Sequence, residues 1–315
     1  MTRRLWWWLA LALLCSVSPM VQGAEQSLTD LVWNARRILF LGDSITAAGP
    51  AVANFDAWLL TQKRPRIPEV INAGLPSETV SGLSEEGHAG GQFPRPDLAE
   101  RLERVLKVAQ PDLVIACYGM NCGIYQPFDE GRFAKYQAGI RNLKQRVEQA
   151  GAQLVVVTPP FYDDQTSPRP FVYNQVLDRY ADWLLAQREQ GWRVIDLHHA
   201  MTSEVARRRQ TDPKFTFQPD GVHPNDAGHW FLATRLIAAL GDEAAASAES
   251  PQAMVRQAGL PVELLPLVTE RMQIRRDAYV SAAGHKRPGV AKGLPIAEAE
   301  QAAAKLSDKL QSLRK

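Results

Sequence analysis

The chain of 315 residues is short of three features, and each shortage argues against a class of function. It has only three cysteines, and no histidine lies close in sequence to Cys117 or Cys122, which argues against a zinc site. Its net charge is only +2, so composition gives no reason to expect nucleic acid or a charged membrane surface as a partner. After residue 24 no apolar run approaches the roughly 20 residues that cross a membrane. The length suffices for one large domain, or for one domain plus an appendage.

The first 24 residues have the three parts of a secretory signal peptide. Two arginines precede a continuous apolar run from Leu5 to Val17, and small residues follow it. We predict cleavage after Gly23 or Ala24, and a mature chain that is exported to the periplasm or the cell exterior. One alternative is an uncleaved membrane anchor, for which the run is short. The other is a lipoprotein attached through Cys15, whose preceding leucine is larger than such processing prefers.

Short apolar runs alternate with amphipathic segments along the rest of the chain. After a polar lead-in, the strands are predicted at 38–41, 69–74, 112–118, 154–157 and 193–197. The helices are predicted at 51–62, 97–109, around 133–147, at 171–187, and from the Asn225 cap to 240. Strands that are apolar along their whole length are typical of a parallel sheet covered on both faces. The sequence therefore predicts an α/β fold with a central parallel five-stranded sheet and right-handed crossovers.

The composition changes after Gly241. Residues 243–250 are rich in alanine, glutamate and serine, which predicts a linker, and two further helices are predicted at 261–282 and 296–313. Because the last helix has few apolar residues, we expect this C-terminal extension, 243–315, to pack on the main domain, 25–242. A basic turn at 284–289 separates the two helices; it is predicted to be a solvated loop, with substrate contact as the alternative.

A serine follows the first predicted strand. Gly42, Asp43 and Ser44 allow a sharp turn at the carboxyl end of that strand, where open α/β sheets bind ligands. Ser44 is therefore a candidate nucleophile, although the tripeptide alone is more typical of an ordinary turn. Asp220 and His223, in the last loop before the final predicted helix, supply the carboxylate and the base that such a serine needs.

These residues predict acyl transfer through a Ser–His–Asp triad. Ser44 Oγ attacks a carbonyl carbon, His223 takes the serine proton and returns it to the leaving alcohol, and Asp220 orients the imidazole. For the oxyanion we predict three donors, the backbone N–H groups of Ser44 and Gly74 and the side-chain amide of Asn121. Each residue alone also fits a turn, a cap or a surface histidine, but their joint occurrence at strand ends favours the catalytic interpretation.

The chain resembles the SGNH (GDSL) hydrolase family over about residues 36–241. The resemblance rests on four blocks in order, at 42–46, 72–79, 119–121 and 220–225. It implies a three-layer α/β/α, flavodoxin-like sandwich and ester hydrolysis without a metal or another cofactor. The family commonly has an aspartate after the asparagine of the third block. Cys122 stands there in this chain, so the hydrogen bonding of that loop must differ.

The resemblance also bears on the substrate. Exported bacterial members of the family often remove acyl groups from carbohydrates, so we expect deacylation, and deacetylation in particular, of sugar esters. His88 and Arg95, in the Gly-rich segment 77–96, are the candidate substrate contacts. Further candidates for the rim of the pocket are Asp163, Asp164, His198 and His199.

Several alternatives stay open at this point. The first is a lipase, thioesterase or arylesterase of the same fold, and the second is an O-acyltransferase that uses a sugar hydroxyl as acceptor. The third, from another class, is a non-catalytic carbohydrate-binding protein. Cys117 and Cys122 either form a disulfide or remain free thiols, and free thiols are favoured.

Overall fold

The computed structural model describes residues 26–314, so the predicted signal peptide lies outside the described residues. Within that range five strands form one sheet: β1 Arg37–Gly42, β2 Glu69–Asn72, β3 Leu113–Cys117, β4 Gln153–Val157 and β5 Arg193–Ile195. Their order is β2-β1-β3-β4-β5, and every neighbouring pair is parallel. This is the flavodoxin-like strand order. The predicted fold is therefore confirmed.

Helices cover both faces of the sheet. They are α1 Leu28–Asn34, α2 Ser44–Ala48, α3 Pro50–Thr61, α4 Leu98–Ala109, α5 Glu130–Gln149, α6 Asn174–Ala186, α7 His198–Arg209, α8 Asp226–Ala239, α9 Glu243–Ala246, α10 Pro251–Gln257, α11 Leu264–Ala283 and α12 Ile296–Leu313. The inner strands are almost completely buried, as their unbroken apolar sequences require. Between Gln26 and Arg314, no helix is long and apolar enough to cross a membrane.

Several of these helices were not predicted from the sequence, and α1 and α7 show why. The predicted polar lead-in contains α1, which Ser27 caps by accepting the N–H of Asp30 and which buries Leu31 and Val32. Helix α7 was not predicted, because its sequence is rich in arginine and it buries only three side chains. In both cases the apolar face is too narrow to produce a clear helical period.

Residues 243–250 are packed rather than a free linker. Asp242 Oδ1 caps α9 by accepting the N–H of Ala245 at 3.0 Å, and Oδ2 accepts Nε1 of Trp58 at 2.8 Å. The carbonyl of the buried Ala248 accepts Nε1 of Trp230 at 2.9 Å. Composition predicted a linker because these residues are small and polar, and their tertiary partners lie elsewhere in the sequence.

The C-terminal extension packs on the main domain, mainly through α11. Arg271 Nη2 donates to both carboxylate oxygens of Asp56 at 2.9 and 2.8 Å, and both side chains are buried. Arg276 Nη1 donates to the carbonyl of Ala47 at 2.9 Å, near the end of α2. The extension thus reaches the helix that begins with Ser44.

Candidate active site

Ser44 is the first residue of α2, directly beyond the carboxyl end of β1. Asp43 caps the helix, with its Oδ1 accepting the N–H of Ile45 at 3.0 Å. Gly42 permits the turn, because a Cβ at this position would overlap Oγ1 of Thr46. The N–H of a first helical residue has no carbonyl partner inside the helix. Both the hydroxyl and the amide of Ser44 are therefore available to a ligand.

A continuous hydrogen-bonded relay links three of the predicted residues. Ser44 Oγ lies 2.9 Å from Nε2 of His223, and Nδ1 of His223 lies 2.6 Å from Oδ2 of Asp220. The other carboxylate oxygen of Asp220 accepts the backbone N–H groups of Val222 and His223 at 2.9 and 2.7 Å. The turn thus fixes the carboxylate, and the carboxylate fixes the imidazole. These separations suit a nucleophile, a base and the group that orients the base.

The relay is open to solvent on the side of the base. The side chains of His223 and Asp220 are 51% and 56% exposed. Partial burial alone would raise the pKa of Asp220, but the hydrogen bonds from the side chain and backbone of His223 outweigh it and lower the pKa. Asp220 is therefore an anion at neutral pH.

The pKa of Asp43, which precedes Ser44 in the chain, is shifted in the opposite direction from that of Asp220. Its side chain is buried, and burial raises its pKa to about 6 although the N–H of Ile45 and the nearby His223 favour the ionised form. Above about pH 6 a buried carboxylate therefore lies next to Ser44.

The N–H of Gly74, one of the predicted oxyanion donors, already has a partner. Its N–H donates to Oδ1 of Asn72 at 2.9 Å, so it is not free for an oxyanion. A Cβ at this position would lie 2.5 Å from the backbone nitrogen of Ala47. Glycine is needed here because the chain after β2 passes directly against α2. This corrects the predicted role of Gly74.

Asn72 is a residue that sequence reasoning missed. Its Nδ2 donates to the carbonyl of Thr46 at 2.7 Å and lies 3.6 Å from Sδ of Met272, while its Oδ1 accepts the N–H of Gly74. This fully buried side chain therefore joins the end of β2 to α2 and to α11. The available signal was an asparagine that directly ends an apolar strand.

Ser77 is a second missed residue. The N–H of Glu78 donates to the carbonyl of Leu75 at 3.2 Å, closing a β-turn with Pro76 second and Ser77 third. The φ of Ser77 is +67°, as a type II turn requires at its third position. Its N–H has no partner in residues 26–314. The N–H of Leu75 donates to the carbonyl of Gly42 at 2.9 Å, which holds this turn beside the start of α2.

Asn121 is brought to the same turn. Its side chain is buried, and Oδ1 accepts the hydroxyl of Tyr125 at 2.9 Å. Nδ2 consequently faces the carbonyl of Glu78, at 3.4 Å. An amide nitrogen carries two N–H groups, so a second donor remains on this side chain.

A buried ionic network holds the segment after β2 from the protein interior. The carboxylate of Glu78 accepts Nε and Nη2 of Arg101 at 2.5 and 2.8 Å and the hydroxyl of Tyr118 at 2.6 Å. Arg101 Nη2 also donates to the carbonyl of Ala73 at 2.8 Å. The side chains of Glu78 and Arg101 are 0% and 1% exposed. The network thereby ties the chain after β2 to the residue that follows β3.

Hydroxyl groups hold the loop in which Cys122 replaces the family's aspartate. The carbonyls of Tyr118, Met120 and Cys122 accept the hydroxyls of Tyr136, Tyr173 and Ser81 at 3.1, 2.8 and 3.2 Å. Both Cys117 and Cys122 are free thiols, and burial raises the pKa of Cys122 to about 12. The loop is thus fixed without an aspartate and without a disulfide.

Arg95 and His88 lie in one closed loop, but only Arg95 reaches the site. The loop is closed where Thr79 exchanges backbone hydrogen bonds with Pro96 and Leu98, each of 2.9 Å. Arg95 donates Nε and Nη2 to Glu85, both at 2.6 Å, and its Cζ lies 5.2 Å from the centre of the Tyr125 ring.

His88 packs against Phe93, with the ring centres 5.3 Å apart, and its Nδ1 lies 3.2 Å from Glu85 Oε1. Burial and the charge of Arg95 lower the pKa of His88. His88 is therefore linked to the site only through Glu85 and Arg95.

The four candidates for the rim have partners of their own. Asp163 is buried and accepts Nη2 of Arg209 at 2.6 Å, and His198 is buried with its Nε2 2.7 Å from Asp178. Asp164 accepts the N–H groups of Tyr173 and Asn174 at the start of α6, and His199 lies 3.1 Å from Asp196. These contacts give all four residues a structural role.

A model of the GDSL-like lipase/acylhydrolase family matches residues 40–231, which is more than half of the chain. The chain belongs to this family of serine ester hydrolases. The matched range includes Ser44, Asp220 and His223, and it ends before the C-terminal extension. In a comparison with curated proteins, none matched significantly.

Solved structures with the same fold include several hydrolases. A gut microbial diltiazem-metabolizing enzyme has a TM-score of 0.52 at 20% identity over 65% of this chain, and the match spans only about half, 47%, of that enzyme. An alpha/beta hydrolase from the metagenome of Lake Arreo, Spain, has a TM-score of 0.51 at 23% identity over 65% of this chain and 95% of its own. An acetylxylan esterase from Geobacillus stearothermophilus has a TM-score of 0.49 at 23% identity, over 65% of this chain and 94% of its own. At these identities the likeness shows the fold alone.

Proposed function

We propose that this chain is an exported serine esterase that removes small acyl groups, acetyl above all, from carbohydrates. The observation that carries the proposal is the relay from Ser44 Oγ through His223 to Asp220, with separations of 2.9 and 2.6 Å. A hydroxyl in contact with an oriented imidazole is the arrangement that makes serine a nucleophile.

The reaction follows from this arrangement. His223 Nε2 takes the proton of Ser44 while Oγ attacks the ester carbonyl, and Asp220 stabilises the imidazolium that forms. When the tetrahedral intermediate collapses, His223 gives the proton to the departing alcohol and the acyl group stays on Ser44. A water molecule then attacks the acyl-enzyme with His223 again as the base, which releases the acid and restores the serine.

Three donors are proposed for the oxyanion: the N–H groups of Ser44 and Ser77 and the Nδ2–H of Asn121. Ser77 takes the place that the sequence analysis gave to Gly74, because its amide is unpartnered and its turn is anchored to Gly42. The contact between Asn121 and the carbonyl of Glu78 brings the second and third donors together. Removal of one such donor typically costs about 3 kcal/mol of transition-state stabilisation.

An exposed base favours a bulky polar alcohol over a lipid. His223 and Asp220 are each about half exposed, so a sugar within a longer chain can reach the relay. Among residues 26–314, the exposed large apolar side chains are Phe128, Val172 and Leu294. They are single residues at separate positions in the sequence, so residues 26–314 contain no continuous exposed apolar segment of the kind that forms a lipase lid.

Export is the part of the proposal that rests on the sequence alone. The charged start, apolar run and small residues of 1–24 carry it. Expression of the full chain in a Gram-negative bacterium should yield a periplasmic protein whose first residue is Ala24 or Glu25. An intact N-terminus on a cytoplasmic protein would contradict export and leave the esterase proposal untouched.

The test of the activity is hydrolysis of p-nitrophenyl acetate by residues 25–315, beside Ser44→Ala and the exposed control Ser312→Ala. We expect Ser44→Ala to lower kcat/KM by at least about 10³-fold, with an unchanged melting temperature, and Ser312→Ala to behave like the wild type. Acetylated xylosides should then be better substrates than p-nitrophenyl esters of long fatty acids. Equal rates for the wild type and Ser44→Ala would favour a non-catalytic carbohydrate-binding protein.

A further inference from the structure

Arg169 is a cation beside the site that the proposed mechanism does not use. Its Nε donates to the hydroxyl of Tyr162 at 2.9 Å, and its Cζ lies 4.8 Å from the centre of the Tyr125 ring. Pro168 and Pro170 flank it and restrict the backbone on both sides. The guanidinium is therefore held in place by its neighbours although the residue is exposed.

Arg169 is connected to both halves of the site through its neighbours. Its loop packs on the turn before His223, because Asp163 N–H donates to the carbonyl of Gly221 at 2.9 Å and a Cβ on Gly221 would overlap Ser167. On the other side, the ring under the guanidinium belongs to Tyr125, whose hydroxyl binds Asn121. Arg169 is thus connected through its loop to the turn of the base, and through the Tyr125 ring to one of the proposed oxyanion donors.

The charge of Arg169 has no counter-ion in residues 26–314. Neither of its Nη atoms has a hydrogen-bond or ion-pair partner in that range. Arg95, on the same Tyr125 ring, contrasts with it because Glu85 binds it through two hydrogen bonds of 2.6 Å. The nearby carboxylates of Asp163 and Asp220 are already paired with Arg209 and His223. An uncompensated, pre-oriented guanidinium next to a reaction centre attracts an anion.

We propose that Arg169 binds a carboxylate on the alcohol part of the ester, so that the substrate is an acylated acidic sugar of the uronate type. This inference rests on the proposed esterase function and names its substrate class. The alcohol side follows from the loop of Arg169, which packs beside the turn of the residue that returns the proton to the alcohol. The planar guanidinium with two free Nη groups matches a carboxylate in a bidentate geometry.

The test compares two substrates of nearly equal shape, 4-acetoxybenzoate and its neutral methyl ester. We expect the wild type to have a higher kcat/KM for the anion, and Arg169→Gln to lower the anion-to-neutral ratio about tenfold, the scale of a hydrogen bond to a charged group. Arg169→Lys should keep part of the preference, because lysine keeps the positive charge but cannot bind a carboxylate through two parallel N–H groups. Added sodium chloride should weaken the preference of the wild type.

The matched control is Arg141→Gln, which removes a guanidinium that also lies over an aromatic ring, that of Trp183, at 5.2 Å. It should keep the wild-type ratio. The inference is overturned if the wild type has no preference for the anionic ester, or if Arg169→Gln keeps that preference. In either case, hydrolysis of both esters would still support the esterase function.

Binding of D-glucuronate, followed by ligand-observed NMR against D-glucose, gives a readout that needs no turnover. Binding of glucuronate that Arg169→Gln abolishes supports the inference even if neither ester is hydrolysed, in which case only the proposed function fails. Equal binding by the wild type and the variant contradicts the inference.

Discussion

The Asp220–His223 pair and the Glu78–Arg101 pair each join a carboxylate to a basic side chain, and their surroundings differ sharply. The side chains of the first pair are 56% and 51% exposed, and one hydrogen bond joins them to Ser44. Those of the second are 0% and 1% exposed, and further hydrogen bonds join them to Tyr118 and the carbonyl of Ala73. One pair is open to solvent, and the other is buried in the interior.

In the proposed mechanism, this difference separates the groups that react from the groups that hold them in place. An exposed pair contributes little to folding, so its residues are free to serve the reaction. A buried pair carries a large desolvation cost, and removal of one partner leaves a charge unpaired in the interior. We therefore expect substitutions in the first pair to change the rate and substitutions in the second to change stability.

The largest effect is expected for Asp220→Asn. The amide cannot stabilise the imidazolium or keep the correct tautomer of His223, so kcat should fall by about 10²–10⁴-fold. The melting temperature should barely move, because the carboxylate is half exposed. Initial rates and thermal unfolding of the same preparation check both statements, with Asp308→Asn on α12 as the control. An Asp220→Asn protein with wild-type kcat would remove Asp220 from the mechanism.

Arg101→Met should have the largest effect on stability. It leaves the buried carboxylate of Glu78 without its partner, which typically costs about 3–5 kcal/mol. Arg146→Met removes a surface ion pair in which Nη1 of Arg146 lies 2.8 Å from Oε1 of Glu103. This change should lower the free energy of unfolding by less than about 1 kcal/mol. Urea unfolding of the two variants measures the difference. Similar losses in both would contradict the contrast between exposed and buried pairs.

Asp43→Asn should increase stability at neutral pH. The pKa of Asp43 is raised to about 6, so ionisation in the folded state opposes folding increasingly as the pH rises from about 4 to 6. The side-chain amide of the variant can still accept the N–H of Ile45, and it does not ionise. The cost of ionisation that it avoids is roughly 3 kcal/mol for a pKa raised by about two units. The gain should be full at pH 8 and absent at pH 4. A gain that is equal at both pH values would show that the carboxylate is not the cause.

Tyr125→Phe should have the smallest effect of these four. It frees Oδ1 of Asn121 from the hydroxyl that sets the direction of the amide, so kcat should fall about fivefold to tenfold, the equivalent of roughly 1 kcal/mol. KM for p-nitrophenyl acetate should change little, because the contact serves the oxyanion. Tyr279→Phe on α11 is the control. A change confined to KM would assign Tyr125 to substrate binding instead.

The fold and the relay could be predicted because their signals are local. The β1 strand is a continuous apolar run, and Ser44 follows its end within three residues of Leu41. Asp220 and His223 lie within one turn, so their spacing alone places a carboxylate next to an imidazole. Neither inference requires knowledge of distant contacts.

The remaining parts depend on individual hydrogen bonds and packing contacts that no sequence pattern specifies. Gly74 and Ser77 belong to one short segment, and only the hydrogen bond from Gly74 to Asn72 and the turn closed by Glu78 decide which amide is free. Arg169 gains its position from Tyr125 and Tyr162, and from a loop that packs on Gly221. No periodicity or motif in the sequence reports these partners.

The most direct test of the central claim is labelling with a fluorophosphonate, followed by intact-mass analysis and peptide mapping. A serine activated as proposed should take up one phosphonyl group, on Ser44, and His223→Ala should slow the labelling at least about 100-fold. Labelling of another residue, or unchanged labelling in His223→Ala, would contradict the proposed mechanism.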